Sequence, residues 1–221
     1  MIKNYETGHM TKTRSAETQK TRIQNQNEAL ILDAALEVFS SFGYRGSTID
    51  QIASRCNMSK PNLLYYFKRK EDIYRAVLER TLALWLAPLE ALDPKGDPIE
   101  ELTRYISSKL DLTFERPAAS RLFANEILHG APHISDFLQG PLRQLVEDKS
   151  AVVMHWCKQG KINPVSPVHF IFAVWSVTQH YADFNVQIEA VIGEKLEGTA
   201  SRETTRNAVL DILIRGLKPA A

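Results

Sequence analysis

Lys60, Pro61 and Leu64 are followed closely by Tyr65, Tyr66 and Lys70 in a short run that follows Ser59. Two ammonium groups, two small apolar surfaces and two phenols in so short a run are suited to double-stranded DNA. Lys60 can bond a guanine edge, and Pro61 and Leu64 can touch thymine methyl groups. Tyr65, Tyr66, Lys70 and the upstream Thr48 are better suited to phosphates, where hydroxyl and ammonium groups fix register without reading sequence. With Ser59 and Asn62 at the same helix start, these residues are the candidate DNA contacts. Read singly, the tyrosines could be packing residues, and Lys68, Arg69 and Lys70 a solvated face. Charge separates the readings: residues 1–70 carry 11 Lys plus Arg against 6 Asp plus Glu, net +5, and the remainder 16 against 20, net −4. A nearly neutral chain therefore hides a basic end that can hold a polyanion.

A second constellation lies at Trp175, Gln179 and Asp183, which share one helical face, with His180 flanking it. An indole and an amide one turn apart can stack on a flat ligand and read its edge. The competing reading is an aromatic helical core with a satisfied polar residue.

Catalytic chemistry finds little support. His129 and His133 are separated by Gly130, Ala131 and Pro132, which oppose the helix needed to point both rings at one metal ion. His180 and Asp183 could act as a base and its orienter, but no serine or cysteine stands in a strained nucleophile turn. Glu100 and Glu101 are adjacent and point to different faces, and no glycine-rich phosphate loop is present. Cys56 and Cys157 have no ligand or redox spacing and read as reduced thiols. The sequence is therefore expected to be non-enzymatic, with no metal and no cofactor. Its longest apolar runs, such as 170–174, are too short for a bilayer, and the polar N-terminus lacks the apolar core of a signal peptide. A cytoplasmic protein without membrane contact is expected.

The elements that must position these residues are helical. Ala34, Ala35, Val38, Phe39 and Phe42 form an apolar stripe that ends at Gly43, a residue suited to a positive-φ helix stop. Thr48 can cap a second helix buried through Ile49, Ile52 and Ala53; Asn57 and Met58 make a turn; Ser59 caps a third helix that tolerates Pro61 in its first turn. This predicts a helix-turn-helix with recognition helix 60–67, in which Leu63 and Phe67 face the core. Beyond it, breakers predict helices at 71–92, 98–115, 117–128, 134–159 with a kink at Pro141, 166–192 and 202–217. The expected class is all-α: an N-terminal three-helix helix-turn-helix domain at 25–70 and a larger C-terminal helical ligand-binding and dimerisation domain at 71–221. A disordered basic arm is expected at 1–24. Because one helix-turn-helix contacts few base pairs, a homodimer is expected. Its candidate seam is the last two helices, which carry Phe170, Ile171, Val174, Val209, Ile212, Leu213 and Leu217.

Phe42-Gly43, Gly46-Ser47-Thr48, Ile52-Ala53, Met58-Ser59-Lys60, Leu63 through Phe67 and Lys70-Glu71 together resemble the DNA-binding domain of the TetR family of repressors. The resemblance implies phosphate contacts at Thr48, Tyr65, Tyr66 and Lys70, base approach at Lys60, Pro61 and Leu64, and dimers paired through the last two helices. Leu64 departs from the tyrosine common at that place, so a hydroxyl contact there is absent. Over the rest of the chain, WLAPL at 85–89, ASRLF at 119–123, GAP at 130–132 and TQHYADF at 178–184 resemble a pyrimidine-responsive branch of the family. That likeness implies uracil or thymine as effector. Gln179 could then meet adjacent groups of the ring edge. Trp175, Trp85 and Phe123 are the candidate walls, and Tyr181, His180, Asn125 and Arg121 the candidates for the second carbonyl. A different small-molecule effector, or none, remains an alternative. The helix at 71–92 is expected to transmit the signal.

Overall fold

The computed structural model describes residues 9–196 and 198–219, with side chains from residue 22 onward. Every regular element among the described residues is helical. The chain forms two compact units, Met1–Val77 and Leu78–Ala221, so the division falls within a helix rather than at residue 70.

The first unit holds α1 (His9–Gly46), α2 (Ile49–Arg55), α3 (Lys60–Tyr66) and the start of α4 (Lys70–Glu90). Because α1 begins at His9, residues 9–24 are helical where a disordered arm was expected. That stretch lacks Pro and Gly, and its Lys, Arg and Gln residues favour a helix without an apolar stripe, against the weaker propensity of its threonines. The rest of the expected arm, 1–8, lies outside the described residues. The helical path of α1 breaks at Gly43, with φ 69° and ψ 171°, a region a side chain would strain. Ile31, Ala35, Val38 and Phe39 are buried, whereas Phe42 is 58% exposed. Phe42 directly precedes the break, and Ile31, further toward the N-terminus, extends the buried stripe in that direction instead.

Thr48 and Gln51 close α2 reciprocally. Gln51 N–H donates to Thr48 Oγ1 at 3.2 Å, and Thr48 N–H donates to Gln51 Oε1 at 2.8 Å. Asn57 takes φ 55° in the turn, and Ser59 Oγ accepts from Asn62 N–H at 3.4 Å to cap α3. Leu63 is fully buried, with Ile52, Ala53, Ile73 and Val77 also in the core.

The second unit comprises the remainder of α4 with α5 (Pro98–Glu115), α6 (Pro117–Leu128), a short α7 (Ser135–Phe137), α8 (Arg143–Lys158), α9 (Pro167–Asp183), α10 (Asn185–Ile192) and α11 (Thr199–Ile214). Helix α9 is central, packing on α5, α6, α8 and α11. Its Ile171 and Val174 meet Leu102, Tyr105, Ile106, Leu110, Trp156 and Val209 in one core. The helix expected over 134–159 is interrupted by a π-helical turn, Leu138–Leu142. Pro141 has no N–H to give the α-helical ladder, and the wider turn accommodates its ring. The helix expected over 166–192 stops at Phe184, where φ is −121°. Among the described residues no helix is long and apolar enough to cross a membrane.

Candidate DNA-reading helix and effector cavity

Helix α3 presents its early residues outward. Ser59, Lys60, Pro61 and Asn62 are exposed, Leu64 and Tyr66 are half-buried, and Tyr65 is 64% exposed. Lys60 Nζ lies 2.8 Å from Asp50 Oδ2 in a solvent-exposed pair, which is worth about 0–1 kcal/mol and so can be exchanged for a DNA acceptor at small cost. Tyr65 and Tyr66 meet edge to face at 5.3 Å, and the Lys68 ammonium stands 5.9 Å from the Tyr65 ring centre. Tyr66 Oη accepts from Asn27 Nδ2 at 2.7 Å, tying α3 to α1. The Thr48 side chain is exposed but already serves the cap of α2.

Lys70, expected at phosphates, also holds the fold together. Its ammonium donates to Tyr44 O at 2.7 Å and Ser47 O at 2.8 Å, and lies 4.5 Å from the Tyr44 ring centre. It clamps the segment after the Gly43 break to the start of α4. One of its three N–H donors is left for another acceptor.

Within the second unit, Leu82, Trp85, Leu86, Lys109, Phe123, Leu142, Trp175 and Gln179 line a cavity that opens to solvent, with about 310 Å³ free of protein atoms when that opening is included. Four residues singled out in the sequence, Trp85, Phe123, Trp175 and Gln179, thus come together from α4, α6 and α9. Trp85 and Phe123 meet edge to face at 5.5 Å. The Trp175 indole N–H donates to Tyr105 Oη at 2.8 Å, which fixes that ring and removes its donor from the cavity. Its lining of aromatic and aliphatic faces with one amide and one ammonium suits a compact planar ring.

The other four candidates stand elsewhere. Arg121 Nη1 donates to Ala182 O at 3.3 Å. Asn125 is exposed, and its carbonyl oxygen lies 2.7 Å from His129 Nδ1. His180 is exposed and stacks on Phe184 with centroids 4.9 Å apart. Tyr181 packs against Phe114 at 6.4 Å. Helical spacing put His180 and Tyr181 near Gln179 along the chain, but each points about 100° or more away from it around the axis. The two histidines weighed for metal also separate, since His133 Nδ1 contacts Glu126, 3.2 Å from its Oε2.

Lys109 escaped the sequence reading. It is only 3% exposed, and its ammonium lies 4.7 Å from the Trp85 ring centre. Burial pushes its pKa down to about 8, against the opposing charge of Asp183. Asp183 itself is raised by burial, against a hydrogen bond from Ser120 and the charges of Arg121, His180 and Lys109. A lysine at position 109 in the apolar stripe of Leu102, Tyr105, Ile106, Leu110 and Thr113 was the available signal.

A three-helix DNA-reading unit followed by a helical unit with its own cavity defines a one-component regulator. Residues 31–77 match the bacterial regulatory proteins of the tetR family, and residues 78–220 match the C-terminal region of YcdC-like proteins. The chain belongs to the TetR family and is a ligand-responsive DNA-binding regulator. It is 44% identical over 200 residues to the HTH-type transcriptional regulator RutR of Escherichia coli O157:H7, spanning 90% of this chain and 94% of that protein. The transcriptional repressor NicS of Pseudomonas putida is 23% identical over 216 residues, spanning 91% and 99%. Among solved structures, AibR in complex with isovaleryl coenzyme A and operator DNA superposes with a TM-score of 0.67 at 19% identity, covering 86% and 99%. PfmR of Thermus thermophilus gives 0.64 at 22%, covering 85% and 98%. These two share the fold.

Proposed function

We propose that this regulator binds operator DNA as a homodimer in the cytoplasm and releases it when uracil or thymine enters the cavity of the second unit. The observation that carries the reading is the cavity itself, in which three aromatic rings flank the Gln179 amide. Such walls stack on a planar ring, and the amide supplies one donor and one acceptor to its edge. The 44% identity to RutR supports the same class of effector.

Dimerisation is supported by apolar surface on the last helices. Val168 and Phe172 on α9, Val186, Val191 and Ile192 on α10, and Ile212 on α11 are all exposed, Ile212 at 72%. Leu213, expected on the seam, packs against the core of its own unit, so Ile212 is the better seam residue. Helix α4 carries both Lys70 and Trp85, and its position or tilt is the proposed transmitter.

Melting temperature of the pure protein tests the effector directly. A ligand that binds only the folded state adds about 2.7 kcal/mol at 100 times its Kd, which raises the melting point by several degrees. No shift with either base at millimolar concentration would remove the pyrimidine reading.

A further inference from the structure

Lys109 is a lysine whose side chain is buried up to the rim of the cavity. It lines the cavity, and among the described residues its ammonium has no hydrogen-bond acceptor, only the face of Trp85 and the more distant charge of Asp183. An ammonium has three donors and no acceptor, and burying it without partners is costly unless something else completes the site. The remaining polar lining group is the Gln179 amide; the other lining groups are apolar or aromatic. No carboxylate lines the cavity to satisfy the lysine from within.

An imide edge such as that of uracil presents carbonyl, N–H, carbonyl in order. Gln179 can meet two adjacent members, accepting from the N–H and donating to one carbonyl, which leaves the far carbonyl without a partner. We infer that Lys109 is the specificity-determining residue of the cavity, donating to that second oxygen, so that the site admits rings carrying a carbonyl toward α5 and rejects rings with amino groups in its place. Because lysine cannot accept, an amino group there faces only another donor. The ammonium charge also repels rings that protonate. This inference rests on the pyrimidine reading and adds which atom of the ring is read and by which residue.

Calorimetric titration of uracil and of 2,4-diaminopyrimidine into the full-length protein and two variants tests it. The second ligand keeps the pyrimidine ring, replaces both carbonyls with amino groups and loses the ring N–H groups, so it opposes Lys109 and Gln179 together, and the Lys109 variants isolate the lysine. Wild type should bind uracil and not 2,4-diaminopyrimidine. Lys109→Met, which keeps the stem and removes the donor, should weaken uracil at least about tenfold, the effect of leaving a buried carbonyl unpaired. Lys109→Gln, which restores a donor, should recover part of that loss, whereas a merely structural lysine would give no such order. Equal uracil affinity in wild type and Lys109→Met overturns the role of Lys109 while the effector reading stands. If the variants do not fold, equal binding of both ligands to wild type overturns it as well. No uracil binding by wild type removes the effector reading and this assignment with it.

Discussion

Replacing Lys109 with methionine should stabilise the ligand-free protein, and the gain should depend on pH in a defined way. Folding moves the lysine from an ordinary value of 10.5 to about 8. At about 1.4 kcal/mol per pH unit, that gap corresponds to about 3 kcal/mol charged against the folded state below pH 8. The sign follows from proton counts. Between about 8 and 10.5 the unfolded chain holds the proton and the folded chain has released it, so wild-type stability rises with pH across this window relative to the variant. The ammonium resting on Trp85 at 4.7 Å offsets up to about 2 kcal/mol, and that contact is also lost in Lys109→Met. The net gain at pH 7 is therefore about 1–3 kcal/mol, and the slope above pH 8 is the cleaner signature. Removing the lysine also takes away one of the charges that oppose the upward shift of Asp183. Urea unfolding followed by tryptophan fluorescence at pH 7, 8, 9 and 10, at one fixed protein concentration, measures both. Parallel stability curves for wild type and variant across this range would refute the buried, unpartnered ammonium.

Lys70→Ala should lower the stability of the first unit by about 1–3 kcal/mol, because Tyr44 O and Ser47 O lose a charged donor. Weakened DNA binding with unchanged thermal stability would instead return Lys70 to a purely phosphate-binding role. Ile212→Glu places a charge on an exposed apolar position and should give folded monomers with greatly reduced operator affinity, because a buried unpaired charge is costly at an interface. Sedimentation at dimer mass would move the seam elsewhere. Lys60→Ala and Leu64→Ala should alter base preference in a selection from random duplexes, and unchanged preference would remove base reading from these positions.

The DNA-reading unit was legible because its signals are local. Thr48 and Ser59 are caps, Gly43 is a stop, and Ile52 and Ala53 on α2 and Leu63 on α3 mark the buried faces of two short helices, so a few residues of sequence settle each feature. The cavity was half legible. Trp175 and Gln179 lie one turn apart on α9, a spacing visible in the chain, and Trp85 and Phe123 were reached through family likeness. Lys109 was hidden because a single lysine in a helix ordinarily snorkels to solvent. Only packing of α5 against α9 and the tryptophans encloses it. The stop at Phe184 was equally invisible, since neither Pro nor Gly marks it and the apolar pattern runs on to Ile192. The structural role of Lys70 was hidden for the reverse reason. Its charge suggested phosphate, while the positive φ of Gly43 had left carbonyl groups nearby that required a donor.

The most direct test is a titration of uracil into a complex of the protein with an operator recovered by selection, read by fluorescence anisotropy of the labelled duplex. Wild type should release the duplex as uracil rises, and operator should weaken uracil binding by the same factor, as linkage requires. Gln179→Leu should bind the duplex and fail to respond, because an apolar side chain leaves the imide edge unpaired. A wild-type complex indifferent to uracil, or a Gln179→Leu complex released at the same uracil concentration as wild type, would contradict the account.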